Sequence, residues 1–229
     1  MKTILISGGS SGLGQATAEK LAKKYKVVIL APDAKRIKEV AAKIGCDFQV
    51  ADVTDYGQLE GAVEETIKKH GGIDVLINNA GIWIEGNLET NDPERIQKTM
   101  AVNAVGTMLL TRAVLPHMKK AGRGRIINVI SQAGLTAKPE RSVYNGSKWA
   151  ITGFTKSLAT ELTGSGITVT GFYPGAMKTN LFASAGVKKN EEKYSKYMEL
   201  ADVVRALEFV VETPEELEIP ELGIKPGWY

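Results

Sequence analysis

Short apolar runs recur along the chain, separated by stretches in which apolar residues return every three or four positions. Ile4-Leu5-Ile6, Val27-Val28-Ile29-Leu30, Phe48-Gln49-Val50, Val75-Leu76-Ile77, Arg125-Ile126-Ile127-Asn128-Val129 and Ile167-Thr168-Val169-Thr170-Gly171-Phe172 have strand length. Their near-continuous apolar character predicts strands buried in a parallel sheet. Between them the period changes. Gln15 to Ala22 is rich in helix formers, and Ile37, Val40, Ala41 and Ile44 share one face of a helix that Asp33 can cap. Leu59, Val63 and Ile67 define a third helix, started by Thr54 or Asp55. Asn91-Asp92-Pro93-Glu94 is a strong helix start, and the pattern behind it predicts a helix running with a break to His117, with Pro116 close to its end. A long helix is expected from Tyr144 to Leu162, and another from an Asp202 cap through Val210-Val211. Met177 to Tyr197 is polar and lysine-rich and reads as a mobile segment, and Leu217 to Pro220 as a short edge strand. Strands that alternate with helices predict an α/β fold, a doubly wound parallel sheet of six to seven strands with helices on both faces.

Composition narrows the picture modestly. The 229 residues suit one domain spanning 1–229, and 43% hydrophobic with 24% charged residues is an ordinary soluble balance. The net charge of +3 is spread over pairs such as Lys23-Lys24, Lys68-Lys69, Lys119-Lys120 and Lys188-Lys189, at expected helix ends or in loops. No basic run suggests nucleic acid, and no apolar run reaches membrane-spanning length, so neither partner is expected. Met1-Lys2 leads straight into the first strand, so no leader is expected, and the single Cys46 forms no intrachain disulfide and fits a reducing cytoplasm. Cys46 reads as a small apolar side chain, with a reactive thiol as the alternative. His70 and His117 stand alone near expected helix ends, and no metal-ligand spacing is visible.

The chemistry gathers at the carboxyl ends of the strands, where right-handed crossovers place ligands. After the first strand comes Ser7-Gly8-Gly9-Ser10-Ser11-Gly12-Leu13-Gly14, leading into a helix. Such a turn lets backbone N–H groups approach a pyrophosphate at the positive end of the helix dipole. Asp52 follows the third strand, Asn78-Asn79-Ala80-Gly81 the fourth, Ser131 the fifth and Pro174-Gly175 the sixth. Tyr144 and Lys148 are four apart and so share a helix face. A neighbouring ammonium stabilises a phenolate, which fits Tyr144 to pass a proton to a carbonyl oxygen or take one from an alcohol. Ser131 can hydrogen-bond the same oxygen.

Taken as a set, these residues resemble the short-chain dehydrogenase/reductase family, in its shorter, non-extended branch, over roughly residues 3 to 180. The resemblance implies a single Rossmann-fold domain, hydride transfer between a nicotinamide and a carbonyl or secondary alcohol, and NAD(H) or NADP(H) as cofactor. It implies that Asn103, Ser131, Tyr144 and Lys148 form the catalytic set, Asn103 helping to order a water beside the lysine. Cofactor contacts are implied for Gly8, Ser10, Ser11, Gly12, Leu13 and Gly14 in the first turn, Asp33 after the second strand, and Asp52 and Val53 at the adenine. Asn79, Ala80 and Gly81 are implied beside the ribose, Pro174, Gly175 and Thr179 at the nicotinamide end, and Tyr144 and Lys148 on its ribose. Where the family places the acid or base that separates NAD from NADP, this chain has Ala31 and Pro32, and Ser11 is neutral. Asp33, Lys35 and Arg36 are each available instead, so both cofactors stay open. Gly146 stands where the family often has alanine. The tail Ile219 to Tyr229 lacks the glycine-rich strand of many tetrameric relatives, so the oligomer expected is a homodimer, through helices around 100–118 and 144–162, or a homotetramer. The substrate would be walled by 82–86, 132–141 and 177–187, with Trp83, Leu135, Met177 and Phe182 as apolar contacts. A dinucleotide-sensing protein without turnover is the alternative reading. A sugar-nucleotide epimerase or dehydratase fits the short chain and the glycine spacing less well.

Overall fold

Each apolar run forms a strand, and every strand lies parallel to its neighbours. β1 (Thr3–Ser7), β2 (Lys26–Ala31), β3 (Asp47–Val50), β4 (Val75–Asn78), β5 (Gly124–Val129), β6 (Ile167–Pro174) and β7 (Glu221–Ile224) form one sheet in the order β3-β2-β1-β4-β5-β6-β7. This is a single α/β domain. The computed structural model describes the whole chain except Ala185, residues 187–190 and Tyr229, so the Lys188-Lys189 pair lies outside the described residues. β1 is the hub: Leu5 is in register with Val28 of β2 and Leu76 of β4. The strand order reverses there, which opens a crevice above the carboxyl ends of β1 and β4.

Alternate strand residues face opposite layers. Ile4, Ile6, Val27, Ile29 and Ile77 pack against α1 (Gly12–Leu21), α2 (Ala34–Ile44) and α9 (Leu200–Glu212). Leu5, Val28, Leu30, Leu76 and Ile126 pack against α3 (Tyr56–His70), α5 (Gly106–Ala121) and α6 (Ser142–Glu161). Asn78 and Asn128 form a buried polar seam under the second layer. Asn78 Nδ2 donates to Thr111 Oγ1 and to Asn128 Oδ1, both at 2.9 Å, and Asn128 Nδ2 donates to Thr155 Oγ1 at 2.9 Å. The seam ties α5 and α6 to the two strands that lead into the site.

Several expectations are corrected in detail. The expected break after Pro93 is a π turn: α4 (Pro93–Met100) passes through Ala101–Val105 into α5 with helical backbone throughout. His117 is therefore inside α5 rather than at its end. Glu199, not Asp202, is the N-cap of α9; Asp202 sits in the first turn, where its carboxylate suits the dipole, and pairs with Arg205 at 2.9 Å. The last strand begins at Glu221 rather than Leu217, because the carbonyls of Pro214 and Leu217 are drawn to the Arg125 guanidinium and pairing with β6 starts from Pro220 O. Part of the segment 177–197 is helical, in α7 (Leu181–Ser184) and α8 (Glu191–Ser195). Cys46 is half-buried, and desolvation, with the Asp47 charge adding, pushes its thiol up to about 11; this is an inert side chain. Among the described residues no helix is long and apolar enough to cross a membrane.

Gly146 lies exposed within α6, and a methyl group built on it meets nothing within 4 Å. Gly146→Ala should therefore raise stability by about 0.5–1 kcal/mol, read as a higher Tm, because only the unfolded chain loses freedom. An unchanged or lower Tm would show that the glycine has a role in packing.

Candidate active site

The first turn is built for close approach. A Cβ on Gly14 would lie 2.4 Å from Gly8 O, and one on Gly9 would lie 2.5 Å from Ile29 Cβ. Gly9 is thus as constrained as its neighbours, although the three-then-one spacing passes over it. Ser7 Oγ accepts from Asn79 N at 3.0 Å and Ala80 N at 3.1 Å, and Asn79 Nδ2 donates to Ser7 O at 3.0 Å, which locks the loop after β4 to the turn after β1. The start of α1 differs from those of the three helices that follow it. α2, α3 and α4 are capped by the carboxylates of Asp33, Asp55 and Asp92, whereas α1, like α6 and α9, has no side-chain cap bond: Ser11 leaves its first N–H groups open. Uncapped N–H groups at the positive end of a helix dipole, beside bare glycine backbone, suit a pyrophosphate.

The second half of the site is held by α6 and the π turn. Asn103 is fully buried there. Its Oδ1 accepts from Ile82 N at 2.8 Å, and its Nδ2 donates to Ile82 O at 3.0 Å and Ser147 Oγ at 3.1 Å. Ser147 Oγ in turn donates to Tyr144 O at 2.7 Å, so Asn103 joins the loop after β4 to the helix turn that carries Tyr144. Lys148 Nζ donates to Val129 O at 3.2 Å and lies 5.8 Å from the centre of the Tyr144 ring. Burial takes Lys148 down to about 8, the cost of holding an ammonium away from water. Ser131 Oγ accepts from Ala133 N at 3.1 Å, leaving its own hydrogen to donate elsewhere.

Ser131, Tyr144 and Lys148 line one cleft of about 550 Å³, with Asn103 behind its wall. Of the expected cofactor residues, Gly8, Ser11, Gly12, Leu13, Asn79, Gly81, Pro174, Gly175 and Thr179 line the same cleft. Ser10, Gly14, Asp33, Asp52, Val53 and Ala80 do not. Asp33 Oδ1 is taken up by Arg36 N at 3.0 Å as the α2 cap, and Asp52 Oδ1 accepts from the Thr54 hydroxyl at 2.8 Å. Val53 packs under Gly106, where an added Cβ would come within 2.7 Å of it. Gly14 is enclosed by the turn itself. Arg36 lines the cleft and donates to Ser10 O at 3.0 Å. At the substrate end, Trp83, Met177 and Phe182 line the cleft and Leu135 does not; Val187 lies outside the described residues. Lys138, Arg141, Tyr197 and Trp228 also line it. Lys138 and Arg141 fall inside an expected wall, whereas nothing in the local pattern around Trp228 marks it. Ile224 O accepts from Gly175 N at 2.7 Å and Lys196 O accepts from Trp228 Nε1 at 3.1 Å, so the tail is bonded back over the site.

The model of the short chain dehydrogenase family matches residues 2–190 of the chain. An uncharacterized oxidoreductase of Staphylococcus saprophyticus is 33% identical over 99% of this chain and 96% of its own length. The 2-(R)-hydroxypropyl-CoM dehydrogenase of Xanthobacter autotrophicus is 41% identical over 78% of this chain and 75% of its own. The crystal structure of 3-ketoacyl-(acyl-carrier-protein) reductase from Brucella melitensis, complexed with NADH, superposes with a TM-score of 0.91 at 30% identity, covering 99% of this chain and 97% of that one. With the glycine turn, the reversed sheet and the Tyr144-Lys148 pair on one cleft, the chain belongs to the short-chain dehydrogenase family of oxidoreductases.

Proposed function

We propose that this protein reduces a carbonyl group, or oxidises the corresponding secondary alcohol, using NAD(H) or NADP(H), with Tyr144 as the acid and base. The observation that carries the reading is the convergence of Ser131, Tyr144 and Lys148 on the cleft that the uncapped start of α1 also lines. Gly8, Ser11, Gly12 and Leu13 would hold the pyrophosphate, and Pro174, Gly175 and Thr179 the nicotinamide end. The chemistry such a cofactor supplies when bound is hydride donation in reduction and hydride acceptance in oxidation. Tyr144 gives its hydroxyl proton to the carbonyl oxygen as the carbon gains the hydride, so a secondary alcohol results; in oxidation it takes the proton back. Ser131 donates a hydrogen bond to the same oxygen. The Lys148 ammonium favours the phenolate, and Asn103 positions the helix turn that carries Tyr144 through Ser147. The hydroxypropyl and ketoacyl groups in the names of the Xanthobacter and Brucella relatives are an alcohol and a carbonyl of the proposed kind.

Calorimetric titration with NADH and NADPH, followed by a panel of ketones and secondary alcohols read at 340 nm with the tighter cofactor, tests this. Tight binding with no absorbance change across the panel would favour a dinucleotide-sensing protein instead. We also read the protein as a homo-oligomer acting in the cytoplasm. Val105 in the π turn and Trp149 on α6 are 45% and 51% exposed, on the two helical segments expected to form an interface. Light scattering should give at least twice the 24.7 kDa chain mass, and a monomer would overturn that part of the reading.

A further inference from the structure

The far end of the cleft has a chemistry of its own. Five aromatic rings run in sequence along it: Tyr144 to Trp83 at 4.3 Å, Trp83 to Phe182 at 4.7 Å, Phe182 to Tyr197 at 6.1 Å, and Tyr197 to Trp228 at 6.5 Å. The last ring belongs to the tail and is 54% exposed beside the cleft, an apolar area that a ligand's body would cover. Over the Trp83 ring, on the same wall, stands the Arg141 guanidinium, 5.0 Å from the ring centre. Glu85 lies 3.4 Å from Arg141 and also accepts from Trp83 Nε1, so it braces both without lining the cleft itself.

Charge along the cleft is one-sided. Among the described residues its lining holds Arg36, Lys138, Arg141 and Lys148 and no carboxylate. Arg36 stands at the glycine-turn end and Lys148 is enclosed behind Tyr144. Lys138 and Arg141 belong to neither task. They follow Ser131 on the loop leading into α6, on the substrate side of Tyr144.

We propose that the substrate joins its carbonyl or alcohol to a flat apolar body and an anionic group, with Arg141 and Lys138 taking the anion and Trp83, Phe182 and Trp228 the body. This rests on the oxidoreductase reading for which atom reacts, but not for how the ligand binds. Tyr144 and Arg141 both lie against the Trp83 ring, at 4.3 and 5.0 Å from its centre, so a compact ligand can reach both groups at once. An arginine fork beside an aromatic ring recognises a carboxylate on an aromatic or alicyclic frame, and the uncharged amide offers that cation no charge to meet.

The test uses the full chain saturated with whichever of NADH and NADPH binds it more tightly. Binding of 4-acetylbenzoate, 4-acetylbenzamide and 4-oxopentanoate is measured by calorimetry, with absorbance at 340 nm followed in parallel. The charged aromatic ketone should bind about tenfold or more tighter than its amide and than the ringless acid. Arg141→Gln should close the gap between acid and amide, with Arg141→Lys restoring part of it, and Trp228→Ala should close the gap between 4-acetylbenzoate and 4-oxopentanoate. Acid and amide binding within about twofold in the unaltered protein, or none of the three binding, overturns the proposal even if the variants fail to fold. Selective binding supports it whether or not hydride transfer follows, and the oxidoreductase reading fails only if the wider panel of ketones and alcohols is silent too; turnover without charge preference overturns the proposal and leaves that reading standing.

Discussion

Tyr144→Phe should lower turnover by about 10²- to 10⁴-fold while cofactor affinity stays within about twofold, because in the proposed mechanism the hydroxyl supplies a proton while the ring keeps the packing. The ring is 5% exposed and packed at a tilt against Trp83, centres 4.3 Å apart, so phenylalanine fills the same space and the loss is one of chemistry. The pH profile separates this from a general weakening. Lys148 is taken down to about 8 by burial, and in the proposed mechanism its charge favours the phenolate of Tyr144, whose ring centre is 5.8 Å away. Lowering a lysine's pKa means that the charged form is present below that value and lost above it. Carbonyl reduction should therefore hold level below pH 8 and fall as pH rises through about 8. Lys148→Met should abolish that limb, and Tyr144→Phe should flatten what activity is left. Full turnover by Tyr144→Phe on a substrate the unaltered protein reduces would remove the residue from the reaction. A limb nearer 10 would show that Lys148 keeps its ordinary acidity in the working enzyme.

What could be read in advance follows from how local each signal is. Strands and helices were legible because burial imposes a period: Leu5 and Val28 sit in apolar runs, and Ile37 and Ala41 keep a helical one. Tyr144 and Lys148 were legible because four residues on a helix always share a face. The π turn was not, since one extra residue in the ring of a backbone hydrogen bond leaves no mark on composition; Asn103 within it was singled out by the family resemblance and not by any local pattern. Asp33, Asp52 and Val53 show the same limit from the other side. Each stands at the right strand end, but capping α2, bonding Thr54 and supporting Gly106 engage their side chains elsewhere, and whether they meet an adenine depends on loop geometry that spacing does not encode. Trp228 reaches the site because β7 pairs with β6, which brings the tail back to a cleft that Trp83, 145 residues earlier, also lines. That pairing was displaced from the expected Leu217–Pro220 by a residue whose partners are all distant, Arg125.

Arg125→Met should cost about 3 kcal/mol of stability and lower Tm by about 10 °C. Arginine is mostly an exposed residue, yet this one is 6% exposed. Its Nη1 donates to Val210 O at 2.5 Å and Thr213 O at 2.7 Å, its Nη2 to Pro214 O at 2.8 Å and Leu217 O at 3.0 Å, and its Nε to Thr168 Oγ1 at 3.2 Å. All five guanidinium hydrogens thus have acceptors, four of them carbonyls at and after the C-terminal end of α9, where a cation suits the dipole. Burial lowers the arginine's pKa, and the nearby Glu215 and Glu218 charges oppose that. Methionine keeps the volume but strands the four carbonyls, each costing about 1–3 kcal/mol if water does not reach it. Arg125→Lys keeps the charge with three donors in place of five, and should recover less than half of the loss. Because the residue opens β5 while the cleft lies beyond the strands' carboxyl ends, turnover per folded molecule at low temperature should be that of the unaltered protein. A loss under about 1 kcal/mol for the methionine variant would mean that the end of α9 finds other donors, and that the fork of Arg125 fills a gap rather than holding the tail in place.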